Sequence, residues 1–374
     1  MKGYRGGTHR AVPPEVTRER ITPLLPRFGI TRLADVTGLD HLGIPTYCAI
    51  RPTAKTVQVS NGKGLRRVDA QVSALMEAIE LAISEDAPTP PVVRATPGEL
   101  QHRGQPFSFD TPLDVRVERP VAGRIEWVQG SELLGGTSLL LPAAMPWLRA
   151  RQVLRYSTNG LASGNTVVEA TLHALYEILE RHVLSSLLDG ARFDFSRASI
   201  LAPGDAPADS VRDLAERIAA AGLQLVLLRA NARLALHGFM AVLLDRDPLA
   251  SVTSVNLGYG AHLSPSVAAT RAITEAAQAR LTFIHGSRED LRKDQYQRSA
   301  AQARVVAVMS KLEPNARWDG LVDGSTDDLD TDLHAVLGTM RASGLTRVYR
   351  TDMSVPELPF AVVKVWAPET RDIT

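Results

Sequence analysis

Apolar positions along this chain recur with two periods, and the helical one is the clearer. At about 100° per residue, residues 69–84 place Val72, Leu75, Ile79, Ala82 and Ile83 on one side. Ser73, Glu77 and Glu80 project from the other, with Ser84 one turn further. Residues 157–181 repeat the arrangement. A Gly-punctuated polar loop, 158–166, runs into a helix with Val168, Leu172, Leu175, Ile178 and Leu179 on its packing side, while Glu169, His173, Glu177 and Glu180 share a narrow polar stripe. A third strong helix, 266–283, aligns Arg271, Glu275 and Gln278, and leaves Arg280 on the opposite side of an ideal helix. Weaker helical patterns cover 17–28, 210–221 and 328–343.

Between the helices lie short runs with period two or continuous apolar character. Residues 29–36 and 44–51 bracket the turn 38–43 and predict a hairpin, and 56–60 predicts a strand delivering the chain to the turn Asn61-Gly62-Lys63-Gly64. Strands are also predicted at 114–118, 125–130, 137–142, 223–229, 238–245, 347–351 and 360–365, with a Gly-rich turn at 258–262 and a Pro-rich surface connection at 86–98. Strict βαβ alternation is missing, as is a GxGxxG after a strand. The pattern predicts an α+β, or mixed α/β, fold of antiparallel sheets backed by helices. The two acidic helices are its only hint of internal duplication.

Composition narrows the function. A 374-residue chain with 44 % hydrophobic and 22 % charged residues can bury a substantial core. Its net charge of +1 argues against a polyelectrolyte mode of binding nucleic acid or membrane. With no run of eighteen apolar residues and no hydrophobic segment in MKGYRGGTHRAVPP, neither a membrane span nor a secretory signal is expected, and cytoplasm is the default. Cys48 has no cysteine to pair with and reads as a small core residue of a buried strand. Residues 1–15, with Lys2, Arg5, His9 and Arg10, are either an exposed basic tail or an arm folded over an anion.

The candidate chemistry lies in the acid stripes. Two carboxylates about 4 Å apart repel by roughly 4 kcal/mol at an effective dielectric near 20, so a stripe of three needs water, protons or a cation. Alone, each stripe could be a solvated helix face. Should the two face each other, four or five carboxylates share a cleft, and an oxygen-only donor set suits magnesium held by a few carboxylates, waters and phosphates. The glycines around Lys63 would let backbone N–H groups approach an anion, or form a plain β-turn; the spacing is not that of a P-loop.

The segments KGYRGGTHR, GITRLADVTGLDHLGIPTYCAIRP, VSNGKG, SALMEAIE, STNGLASGNTVVEATLHALYEILER and TRAITEAAQARL together resemble the YcaO family of ATP-dependent enzymes that modify peptide backbone amides. The long N-terminal block resembles most the subgroup encoded beside a TfuA partner. The resemblance implies a single domain over 1–374, with possible lobes at 1–98, 99–200 and 201–374, and a site for ATP and Mg2+ between the acidic helices. It implies metal ligands at Glu77, Glu80, Glu177 and Glu180. Nucleotide contacts are implied at Lys63, Ser73, Asn165, Glu169, Arg181 and one arginine of the third helix, Arg280 in preference to Arg271. His173 is a candidate base, or a charge-paired histidine. The family's first motif usually continues as ER, whereas Leu81 follows Glu80 here. Azoline-forming members often end in a Pro-rich tail, whereas this chain ends APETRDIT. The expected reaction is O-phosphorylation of an amide in a peptide or protein substrate, forming a thioamide with a TfuA-like partner and a sulfide source. The alternatives are azoline formation from Cys, Ser or Thr, and a nucleotide-binding scaffold without turnover. Relatives are often homodimers.

Overall fold

The computed structural model describes residues 1–86, 93–111, 123–148, 157–189, 192–232, 234–245, 254–291, 296 and 300–371. The strand expected at 114–118 and residues 87–92 of the 86–98 connection lie outside them. The described strands form antiparallel sheets. After α1 (Pro14–Ile21) and a 3-10 turn, β1 (Arg32–Asp35), β2 (Thr46–Ile50) and β3 (Val59–Lys63) make a three-stranded sheet in sequence order, followed by α2 (Arg67–Glu85). A six-stranded sheet joins β4 (Val93–Ala95), β5 (Ile125–Glu132), β14 (Tyr349–Asp352), β15 (Ala361–Trp366) and β7 (Leu161–Gly164) in that order, with β6 (Thr137–Pro142) paired to β5. The short α3 (Pro97–His102) follows β4, and α4 (Val167–Ser185) follows β7. After the small hairpin β8 (Leu188–Asp189) and β9 (Arg192–Phe193) comes a four-stranded sheet of β10 (Ala198–Leu201), β11 (Leu223–Ala230), β12 (His237–Asp245) and β13 (Val255–His262). Its helices are α5 (Asp209–Ala220), α6 (Pro265–His285), α7 (Ala300–Met309) and α8 (Leu329–Ala342). The mixed α/β architecture read from the pattern is the one observed.

Three strand–helix units organise the molecule: β3 into α2, β7 into α4, and β13 into α6. Each strand ends its sheet, and each carries glycine where the following helix lies on it. A Cβ at Gly62 would stand 2.1 Å from the Ala74 nitrogen, one at Gly164 2.4 Å from that of Ala170, and one at Gly258 2.1 Å from that of Ala276. No side chain fits there. The turns expected at Asn61-Gly62-Lys63-Gly64 and 258–262 are therefore largely strand, and the loop expected at 158–166 becomes strand at 161–164. Their glycines serve close backbone approach rather than reversal of the chain. The third unit also extends the duplication beyond the two acidic helices.

Helix α4 is buried on one side between β7 and β15 of one sheet and β12 and β13 of another, around Leu172, Leu175, Ile178 and Leu179. Helix α2 packs through Leu75, Ile79 and Ile83 against the first sheet and the Phe28 and Phe360 rings. Cys48 is 2 % exposed and its thiol is pushed up to about 11 by burial, as fits a core residue. The N-terminal arm is not a free tail. Its Lys2 ammonium meets Asp332 of α8 at 2.5 Å with both side chains fully buried, and Tyr4 bridges Arg10 as the arm folds back.

The glycine contacts make a stability prediction. Gly62→Ala should destabilise the fold by about 1–3 kcal/mol or more, through enforced separation of β3 from α2. Gly38→Ala, where an added methyl meets nothing within 4 Å, should stay within about 0.5 kcal/mol by urea denaturation. Equal midpoints for the two variants would refute this packing.

Candidate active site

Where the polar faces of α2, α4 and α6 converge, they enclose a cavity of about 640 Å³, a volume suited to a nucleotide-sized ligand. Ser73, Glu77 and Glu80 enter it from α2, and Glu169, His173, Glu177, Glu180 and Arg181 from α4. Lys63 enters from the end of β3, Asn165 from the turn before α4, and Arg271, Glu275 and Gln278 from α6. The arm contributes Gly6, Gly7, Thr8 and Arg10. Helical spacing accounts for the convergence, since each stripe repeats every three or four residues along a helix anchored by its opposite, apolar side. The two acid stripes thus face one cleft, as they would have to for a shared cation site.

Arg280 is the exception among the predicted residues. Nine positions beyond Arg271, it lies on the reverse face of α6, is 4 % exposed, and binds Asp40 at 3.0 Å with Asp245 at 3.7 Å. It braces α6 against the 40–44 segment. The arginine of α6 that reaches the cavity is Arg271.

Among the described residues, seven carboxylates and five lysine or arginine cations line the cavity. Burial pushes Glu77 up to about 7; Arg288 and Lys63 oppose the rise, and Glu177 and Glu275 add to it. Burial likewise takes Glu80 up to about 8, although the Ser163 hydroxyl at 2.5 Å and its N–H at 2.8 Å both donate to Oε1. Glu180 is pushed up to about 8 by burial and then by Glu275, against Arg271 and Lys63. Glu177 is raised by burial, opposed by Arg181, by Lys364 and by the nearby Gly160 backbone. Burial thus favours the protonated form of Glu77, Glu80 and Glu180 near neutrality and shifts Glu177 in the same direction.

The remaining members are engaged differently. Glu169 accepts from the Ala11 N–H at 2.8 Å and from Asn165 at 3.1 Å, with Arg10 at 3.5 Å, so it ties the arm to α4. The Thr17 hydroxyl donates to the side-chain Oδ1 of Asn165 at 2.9 Å. Lys63 meets Glu275 at 2.5 Å, and Arg181 lies 3.7 Å from Glu177. His173 is held well below its ordinary value by burial, then by Arg10 and Arg271, and is neutral. Its Nδ1, with Glu180 Oε2, Arg271 Nε and Gln278 Oε1, is buried without a hydrogen-bond partner. Buried polar atoms of this kind call for a ligand or ordered water.

Among the described residues, no three Asp, Glu, His or Cys side chains converge tightly enough to hold a metal ion alone. Magnesium does not require that they should: it keeps several waters and completes its shell with phosphate oxygens, so pairs of carboxylates on opposite walls fit it. Glu275, Ser163 and Arg288 also line the cavity and were not singled out as site residues. Glu275 was legible as the i+4 partner of Arg271, and Ser163 stood in a stretch read as loop. Arg288, which pairs with Asp290 at 2.6 Å, follows α6 in a segment without periodicity and gave no signal.

Comparison with known proteins agrees with this geometry. The family model described as YcaO cyclodehydratase, ATP- and Mg2+-binding, matches residues 61–371. A Rhizobium leguminosarum bv. trifolii protein named for its place in the tfuA 3' region is 34 % identical over 378 residues, spanning 96 % of this chain and 88 % of that protein. An uncharacterised Methanothermobacter thermautotrophicus protein is 33 % identical over 376 residues, spanning 96 % of this chain and 94 % of its own. In structure, the chain resembles YcaO from Methanopyrus kandleri bound with AMPPCP and Mg2+, with TM-score 0.77 and 22 % identity over 98 % of this chain and 94 % of that one. It also resembles a heterocyclase in complex with substrate and cofactor, with TM-score 0.76 and 22 % identity over 98 % of this chain and 53 % of that one. With the acid stripes of two helices in one cleft, and a family match over most of its length, this chain belongs to the YcaO family, whose domain binds ATP and Mg2+.

Proposed function

We propose that this chain activates a backbone amide of a peptide or protein by ATP-dependent O-phosphorylation and, with a TfuA-like partner and a sulfide source, converts it to a thioamide. The observation that carries the proposal is the set Glu77, Glu80, Glu177 and Glu180, with Glu180 buried and the other three half-buried, lining one cavity from two helices with their carboxyls raised above the ordinary value. Bound ATP would supply the phosphoryl group that turns a poor leaving oxygen into phosphate, and Mg2+ would neutralise its charge. The four glutamates would hold the metal. Lys63, Arg181 and Arg271 carry positive charge to the same cavity and would steady phosphate oxygens, while Ser73 and Asn165 offer neutral hydrogen-bonding groups. His173, neutral and with an unpartnered Nδ1, can accept a proton from the incoming nucleophile. No protein nucleophile is required.

Sulfide as the nucleophile is supported by the relative from the tfuA region. A second reading, azoline formation by attack of a Cys, Ser or Thr side chain of the substrate, is favoured by the family's cyclodehydratase description. Mass spectrometry of the product separates them: a thioamide gains the mass difference between sulfur and oxygen, and an azoline loses one water. Peptide-dependent phosphate release tests both, and a chain that turns over no ATP with any peptide, partner or sulfide would refute the assignment.

Glu177→Gln should abolish phosphate release while leaving the melting temperature near wild type, because it removes charge from a polar stripe. Arg271→Gln should lower turnover by about a hundredfold with little change in stability, like the loss of a charge-stabilising donor. Arg280→Gln should cost about 3–5 kcal/mol in denaturant unfolding, because it removes the guanidinium that the buried Asp40 carboxylate meets at 3.0 Å. The reverse pattern would return Arg280 to the site. Protons compete with the metal for carboxyls raised from 4.5 to about 7 and 8, so apparent Mg2+ affinity should strengthen as pH rises through that window and level off above it. Calorimetric titration across the window checks the sign, and a flat profile would contradict it.

A further inference from the structure

Lys364 stands in β15 between Val363 and Val365, in a strand whose six residues are all buried, and is itself 2 % exposed. An ammonium so placed is costly unless the protein replaces its water. Here its Nζ donates to the Ser157 carbonyl at 2.5 Å and to the Asn159 carbonyl at 2.7 Å. The next residue, Val365, donates its N–H to the Gly160 carbonyl at 2.8 Å. Gly160 has φ 76°, and a Cβ on it would fall 2.2 Å from the Val365 oxygen, so only glycine lets the chain lie this close. Two adjacent residues of β15 thus grip three carbonyls of the 157–160 segment.

That segment leads directly into β7, and the two reach both acidic helices. Gly160 lies against α4 next to Glu177, where a Cβ on it would fall 2.9 Å from Ile178 Cδ1, and Ser163 holds Glu80 of α2 through both its N–H and its hydroxyl. Thr158, between the gripped carbonyls of Ser157 and Asn159, lies on the cavity wall, and Lys364 itself pairs in register with Leu161. The ammonium also opposes the rise of the Glu177 carboxyl.

We propose that Lys364 is a positioning residue: it clamps 157–160 against β15 and so sets where Glu177 and Glu80 stand relative to each other across the cleft. This inference rests on the reading of the cleft as a magnesium and nucleotide site. If Lys364 served stability alone, its loss would loosen the fold generally and lower activity only in proportion to the folded fraction.

The test compares full-length wild type with Lys364→Met and Lys364→Arg by hydrogen–deuterium exchange, ATP binding and phosphate release. For Lys364→Met, exchange should accelerate in residues 157–164 with the rest of the chain unchanged. Turnover should fall by about tenfold to a hundredfold while the ATP dissociation constant moves less than about threefold, the signature of misplaced rather than missing groups. Lys364→Arg, which keeps charge and donors, should recover most of the loss. Wild-type exchange and turnover in Lys364→Met would overturn the proposal, as would loss of protection spread evenly along the chain. Should Lys364→Met not fold, Lys364→Gln carries the same comparison with a shorter, neutral donor. The exchange measurement needs no nucleotide, so absence of turnover in wild type would count against the reading of the cleft and not against the clamp.

Discussion

Like charges confined to a poorly solvated cleft are the constraint on which this structure turns. Glu77 and Glu80 from α2, and Glu177 and Glu180 from α4, share one cavity with Glu275 from α6, and burial dominates the rise of each of the four carboxyls on α2 and α4. A fold left to minimise its free energy would separate such groups or pair each with a cation. Here the pairing is incomplete: Glu180 Oε2 is buried without a partner, and Lys63 answers to Glu275. In the proposed reading, a divalent cation and its phosphates would supply what the chain withholds.

The scaffold is built to hold that strained arrangement. Strand glycines at 62, 164 and 258 let three helices lie directly on backbone, fixing each helix in register with the strand before it. The apolar sides of α2 and α4 anchor separate cores, so the acid stripes cannot rotate away without exposing Leu75, Ile79, Leu175 or Leu179. The arm closes a further side, held at one end by buried Lys2 and Asp332 and at the other by Glu169. Ser163 then places the Glu80 carboxylate from the edge of the six-stranded sheet.

How much of this was legible follows from the periods involved. The stripes on α2 and α4 were readable because a helix anchored by one face must present the other at fixed spacing, and ten of the eleven residues singled out do line the cavity. Arg280 failed on the same geometry, since it stood half a turn from the stripe and a helix offers that face to a different neighbour. Glycine was misread at 62, 164 and 258 because sequence alone does not distinguish a residue chosen for turning from one chosen for close contact. The path of residues 1–12 has no period to reveal it. Lys364 was hidden inside an apolar run, although a lone charge in the middle of such a run was itself the signal.

The most direct test is a crystal structure with a non-hydrolysable ATP analogue and Mn2+ in place of Mg2+, read by anomalous scattering. The account predicts metal peaks in the cavity between the carboxylates of Glu77 and Glu80 and those of Glu177 and Glu180, with the triphosphate bridging the walls. Metal and nucleotide bound elsewhere, with these four side chains facing only solvent, would contradict it.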